Sequence, residues 1–164
     1  MKSLMPVLLV AFFLGSCVFE APFEPIAKLP VDDRLTGRWE ELDPKGKPAA
    51  DRMLVLRHSD HEYLVQYPVG DKAMFFRAFA IEVEDVRGIQ IQLIGTAEGA
   101  VKPEDRKYHL VKVLVKEHEM EVQTIHPEVL GKVRQDTDSL RTALIAHKND
   151  ADLFDEPMKF RRVD

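Results

Sequence analysis

The chain has 164 residues, with 23 Lys+Arg against 28 Asp+Glu, a formal net charge of −5 and one cysteine. Charges of both signs are interspersed with no basic cluster, which argues against nucleic acid as a partner and against adhesion to anionic lipid by the folded part itself. A single cysteine excludes an intramolecular disulfide.

The first 16 residues carry Lys2, an apolar run from Leu4 to Leu14, and then Gly15 and Ser16. Such a run would make about 16 Å of helix, roughly half the ~30 Å hydrocarbon core, so it is too short to span a bilayer and reads as a secretion signal that is removed. The remaining 148 residues are the size of one domain. Taking Lys2 away with the signal leaves 22 basic against 28 acidic residues, a charge of −6.

Leu14-Gly15-Ser16-Cys17 resembles the lipobox of bacterial lipoproteins at all four positions. The resemblance implies cleavage before Cys17, lipid on its thiol, and attachment to a membrane of the cell envelope. It also implies the outer membrane, facing the periplasm, rather than the inner one, because Val18 and not aspartate comes after the cysteine. Several acyl chains would make that attachment stable, at ~0.8 kcal/mol per buried CH₂.

Residues 17–33 contain Pro22, Pro25 and Pro30 with no helical or strand period, and read as a lipidated stalk of about 3.1 Å per residue. Packing of Phe19 and Phe23 on the domain is the alternative. From residue 34 to 164 the pattern predicts one all-β domain. Eight strands are expected: Arg38–Leu42, Met53–Arg57, Glu62–Tyr67, Ala73–Val83, Val86–Ile94, Lys107–Lys116, Glu119–Ile125 and Met158–Val163. Tyr63, Val65 and Tyr67 alternate with Leu64 and Gln66, and short turns join neighbours as hairpins. Asp136 or Thr137 can cap one helix over about 137–148, with Leu140, Ala143, Leu144 and His147 on one face, and Pro127–Val133 suggests a second short helix.

Eight antiparallel strands can close as an up-and-down barrel just wide enough to be filled by side chains or to hold one small ligand. A sandwich is the alternative. Pairing of the last strand with the first would remove the open edges. Gly37-Arg38-Trp39 resembles the Gly-x-Trp signature of lipocalins, which implies a tryptophan closing one end of the barrel beneath an arginine from a late strand, either Arg161 or Arg162. Lipocalins place their long helix after the eighth strand, whereas here it precedes the eighth. The match is therefore one of shape, a lipocalin-like barrel.

No nucleophile elbow, phosphate-cradling loop, dinucleotide fingerprint or His-Glu-x-x-His helix occurs, and the sole thiol is committed to lipid. The expectation is a module that is not an enzyme and needs no cofactor. His58-Ser59-Asp60-His61-Glu62 holds the densest set of metal-ligand types, with His118 as a third ligand if two hairpin tips meet. A hairpin tip, however, splays its side chains into water, so no metal is expected. In β-alternation Phe75, Arg77 and Phe79 share a face, which would suit an amphipathic ligand with a carboxylate head if it faced the lumen. Met74, Phe76, Ala78 and Ala80 offer an equally apolar face, so parity leaves the choice open. The lumen is expected to be at least partly filled, by Tyr63, Tyr67, Ile89, Ile91, Leu93, Val111, Val113, Met120 and Val122 with Phe76 or the Phe75/Phe79 pair. Three functions fit this pattern: a tethered binding or interaction module for an envelope protein, a lipocalin-like carrier of a small apolar or amphipathic ligand, and, last, a metal-dependent hydrolase.

Overall fold

The computed structural model describes residues 19–131 and 136–163. The signal segment, the lipobox-like motif with Cys17, and Val133 lie outside those residues. The strands are β1 (Gly37–Leu42), β2 (Pro48–Arg57), β3 (Tyr63–Gln66), β4 (Met74–Val83), β5 (Val86–Thr96), β6 (Gly99–Ala100), β7 (Tyr108–Lys116), β8 (Glu119–Thr124) and β9 (Met158–Val163), with α1 (Thr137–His147) before the last. All eight expected strands are present. β2 begins five residues early, and β6 is an additional two-residue pairing with the end of β5.

Strands pair antiparallel with their neighbours in order, β4 with β5 and β5 with β7, and β9 returns to β1 with Trp39 opposite Arg162. The result is a closed eight-stranded up-and-down barrel, not a sandwich. Its two ends differ. Tight hairpins gather at one end, between β2 and β3, β4 and β5, and β7 and β8, and two of them turn through Glu84 (φ 52°) and Glu117 (φ 47°), the left-handed backbone that tight hairpins use. The longer connections, including the one that carries α1, gather at the other end.

The chain has two apolar clusters, one on each side of the barrel wall. Inside are Trp39, Val55, Tyr63, Tyr67, Ala78, Met120 and Phe160. Outside, Phe79, Ile81 and Val83 of β4 and Leu110 of β7 are roofed by Leu140 and Leu144 of α1. Asp136 caps α1 by accepting the Ser139 amide at 2.8 Å, as its sequence signal implied. The helix has only one narrow apolar stripe, so the barrel wall is where that stripe is buried. After Pro127 the expected second helix does not form over the described residues: turns close through the Val129 amide to His126 and the Gly131 amide to Glu128.

The stalk expectation is corrected for residues 19–33. Phe19 and Phe23 are fully buried in the outer cluster, edge to face at 5.1 Å. Phe19 exchanges two 2.9 Å backbone hydrogen bonds with Tyr108 at the start of β7. Gln90, an outward side chain of β5 that is 1% exposed, accepts the amides of Phe23 (2.7 Å) and Glu24 (3.1 Å) and donates to the Glu24 carbonyl (3.0 Å). From α1, Thr137 donates to the Pro22 carbonyl, and Arg141 donates to the Phe23 carbonyl and pairs with the Glu24 carboxylate. Prolines keep this segment extended, but extended backbone with two aromatic side chains serves equally well as a strap once a wall supplies its hydrogen-bond partners.

Candidate functional site: the barrel lumen and its two ends

At the tight-hairpin end, a 3-10 turn over Asp33–Leu35 leads into β1. Trp39 is fully buried, and its indole nitrogen donates to the Leu35 carbonyl at 3.0 Å. The Arg162 guanidinium lies over the indole ring, 4.3 Å from its centroid, and donates to the carbonyls of Thr36 and Arg34. Glycine is required at position 37: its φ is +126°, and a Cβ there would stand 2.6 Å from Arg162 Nη1. Of the two candidate arginines, Arg162 is therefore the one over the plug. Arg161 is one residue out of phase and projects to the exterior, where it pairs with Glu40.

Above this floor the lumen holds a cavity of about 90 Å³ lined entirely by apolar and aromatic side chains. Of the expected lining, Tyr63, Tyr67, Phe76, Ile89, Ile91, Val111, Val113, Met120 and Val122 surround it, and Leu93 does not. A water occupies about 10–15 Å³ on this scale, so the space is several waters large yet far below a drug-sized pocket of ~300 Å³ or more. The lumen is partly filled. Met53, Met120 and Met158 are in its wall, and unbranched thioether chains adapt readily to what they contact.

Polar groups on the inner face sit toward the two ends. The Tyr63 hydroxyl accepts the Asp32 amide at the closed end. Tyr67 donates its hydroxyl to Glu41 Oε2 at 2.6 Å, and Glu41 is 6% exposed. Glu41 shares the inward face of Trp39 two residues before it and stands opposite Phe160, whose ring meets Tyr67 edge-on at 5.9 Å. The β1–β2 register shifts between Glu40 and Leu42, an irregularity of the kind that re-aims a side chain. Burial pushes the Glu41 carboxyl above the ordinary carboxylate range; the Tyr67 hydroxyl acts the other way, and the charge of Asp51 adds to the rise. Burial, and then the hydrogen bond to Glu41, pushes the Tyr67 phenol up. His109, 5% exposed, faces inward opposite Ile91. Glu41 was legible as an inward position from its phase with Trp39. Nothing local in the sequence marked it as buried or joined to Tyr67, 26 residues away.

The expected ligand face on β4 is overturned. Phe76 and Ala78 face the lumen, whereas Phe79 packs in the outer cluster, and Arg77 is 44% exposed and pairs outward with Glu62. Phe75, in the same phase, is on the outer face with them. Both faces of β4 are apolar because α1 and the N-terminal strap cover the outer one. The hairpin tip at His58–Glu62 is organised around backbone and ion-pair contacts: the amides of His58 and Ser59 donate to the Glu62 carbonyl, Asp60 pairs with Arg57, and His61 Nδ1 contacts the Leu29 carbonyl. Among the described residues no group of three or more His, Cys, Asp or Glu side chains is placed to hold a metal ion.

Comparison with known proteins finds no matching family model, no matching curated protein and no matching solved structure.

Proposed function

We propose that this chain is a bacterial envelope lipoprotein, tethered through lipid on Cys17, whose barrel is a non-catalytic binding module for a small apolar or amphipathic molecule. The observation that carries the binding reading is the apolar cavity of about 90 Å³, walled in part by three methionines, in a barrel whose tight-hairpin end holds the buried Trp39 with Arg162 over its ring. An enclosed apolar space offers a ligand the transfer energy of ~25 cal/mol per Å² buried without requiring any protein polar group to lose its partner. The anchor rests on the signal anatomy before Cys17 and the four-residue motif, and the residue after the cysteine favours the outer membrane, facing the periplasm.

Two experiments test the halves separately. Cys17→Ala in a bacterial host should leave the precursor uncleaved and without lipid; a variant that still matured and partitioned with membranes would remove the anchor. Titration of the chain from Val18 onward with small apolar molecules should raise its melting temperature saturably. A ligand at a hundred times its dissociation constant stabilises a fold by ~2.7 kcal/mol, and no shift would favour a barrel that acts through its outer surface on another envelope protein.

A further inference from the structure

The inner face of the barrel is polarised along its length. Hydrogen-bonded Trp39 and Tyr63 stand at the tight-hairpin end, apolar side chains line the middle, and Glu41 with Tyr67 is set toward the end of the longer connections. Tyr67 belongs to both zones: its ring lines the cavity and its hydroxyl holds one oxygen of Glu41. Phe160, opposite Glu41 on β9, also lines the cavity, so Glu41, which is not itself in the lining, stands next to two residues that are.

Tyr67 donates to one oxygen of Glu41, and the second oxygen is not among the buried atoms left without a partner. The Tyr67 phenol already donates its one proton to Oε2, which leaves the other oxygen as an acceptor. Asp51 lies two residues before Met53 on the same face of β2, and its charge bears on Glu41. A positive charge beside Glu41 would offset the effect of that neighbouring charge. The arginine considered from sequence as a lumen cation is outside the barrel, so the polarity of the site is the reverse of what an anionic ligand needs.

We propose that the lumen takes a small apolar molecule with an ammonium head, its tail in the methionine-walled cavity and its head on Glu41 beside Tyr67. This rests on the binding-module reading above and adds the class of ligand. The head would donate to the second Glu41 oxygen while Tyr67 keeps the first, so binding breaks no hydrogen bond of the protein. His109 faces the lumen from β7 and is a further titratable group on that inner face, toward the end of the longer connections.

The test compares hexylamine, hexanol and hexanoate, which share one tail and differ only in the head. Each is titrated into the chain from Val18 onward, which contains every residue of the described fold, at about pH 8, where an alkylamine resembles lysine (pKa ≈ 10.4) and is charged. Methyl resonances of Met53, Met120 and Met158 report binding inside the barrel rather than on its acidic surface. The expected result is hexylamine binding at least about tenfold tighter than hexanoate, equivalent to ~1.4 kcal/mol. Glu41→Gln should abolish the preference of amine over alcohol while leaving hexanol binding in place. Asp51→Asn, at a partly exposed position, should weaken the same preference and serves if Glu41→Gln does not fold. Hexanoate binding as tightly as hexylamine, or an amine preference untouched by either variant, would overturn the ammonium assignment and leave a lumen that binds by apolar contact alone. If none of the three moves the methionine signals, the binding-module reading itself is wrong, and the assignment goes with it.

Discussion

At the scale of single residues, Trp39 and Glu41 stand two positions apart on one strand and do opposite things to stability. Trp39 fills the closed end with its nitrogen paired and a guanidinium over its face, so all its polar and apolar surface is satisfied. Trp39→Ala should cost about 3–5 kcal/mol, the range for truncating a buried aromatic, read as a shift in the urea midpoint. A loss under ~1 kcal/mol would mean that the end of the barrel collapses without strain around the missing ring. Glu41 is held where ionisation is disfavoured. Its folded-state pKa is raised above the unfolded value, so between those two values the folded chain binds more protons than the unfolded one, and stability falls as pH rises through that window. Below the window the loss disappears. Carboxylates such as Asp32 and Asp85 are shifted the opposite way, so their stabilisation is lost as pH falls, but they are common to wild type and variant and cancel in a difference. The stability of Glu41→Gln relative to wild type should therefore climb with pH from the ordinary carboxylate range upward and then level off. A difference that is flat with pH would show that the carboxyl is solvated.

At the scale of elements, the strands were legible and the strap was not, for reasons of distance along the chain. Alternation fixes a strand within a few residues, and the hairpin turns lie between adjacent strands, so the barrel could be read from local pattern and closed by pairing its last strand with its first. The inward phase of Glu41 with Trp39 was legible in the same way. The strap's partners lie far off: Gln90 is 66 and 67 residues from the amides it accepts, and Arg141 is 118 from the Phe23 carbonyl. Without those partners three prolines look like a spacer. The same missing information hid the orientation of Arg77, since the apolar outer face of β4 makes sense only when α1 and Phe19 are laid over it. Gln90→Leu isolates the clamp. It leaves the buried Phe23 amide without an acceptor, at about 1–3 kcal/mol for a buried donor left unpaired. Amide exchange at Phe23 and Glu24 should accelerate while exchange in β1 to β3 stays slow. Unchanged protection at those two amides would show that Phe19 and α1 hold the strap unaided.

At the scale of the molecule, the strap changes both what the folding unit is and where a tether would hold it. Cys17 is two residues from fully buried Phe19, so at 3.3–3.6 Å per residue at most about 7 Å of chain separates a lipidated cysteine from the wall of the barrel. In place of a stalk tens of ångströms long, the anchor would set the domain directly against the bilayer surface. The same geometry forbids treating residues 19–33 as dispensable. A chain begun at Pro30 lacks both Phe19 and Phe23, each worth about 3–5 kcal/mol when a buried aromatic is removed, and uncovers Leu110 and Phe79 beneath them. Their combined loss is comparable to the whole ~5–15 kcal/mol that holds a typical domain folded. The chain from Pro30 should therefore melt far below the chain from Val18 or lose its cooperative transition, with exposed apolar surface detectable by dye binding. Both chains keep all eight barrel strands and the Trp39 plug, so the comparison measures the strap and nothing else. Equal melting temperatures would mean that the outer cluster closes without the two phenylalanines, and residues 17–33 would again be free to act as a spacer.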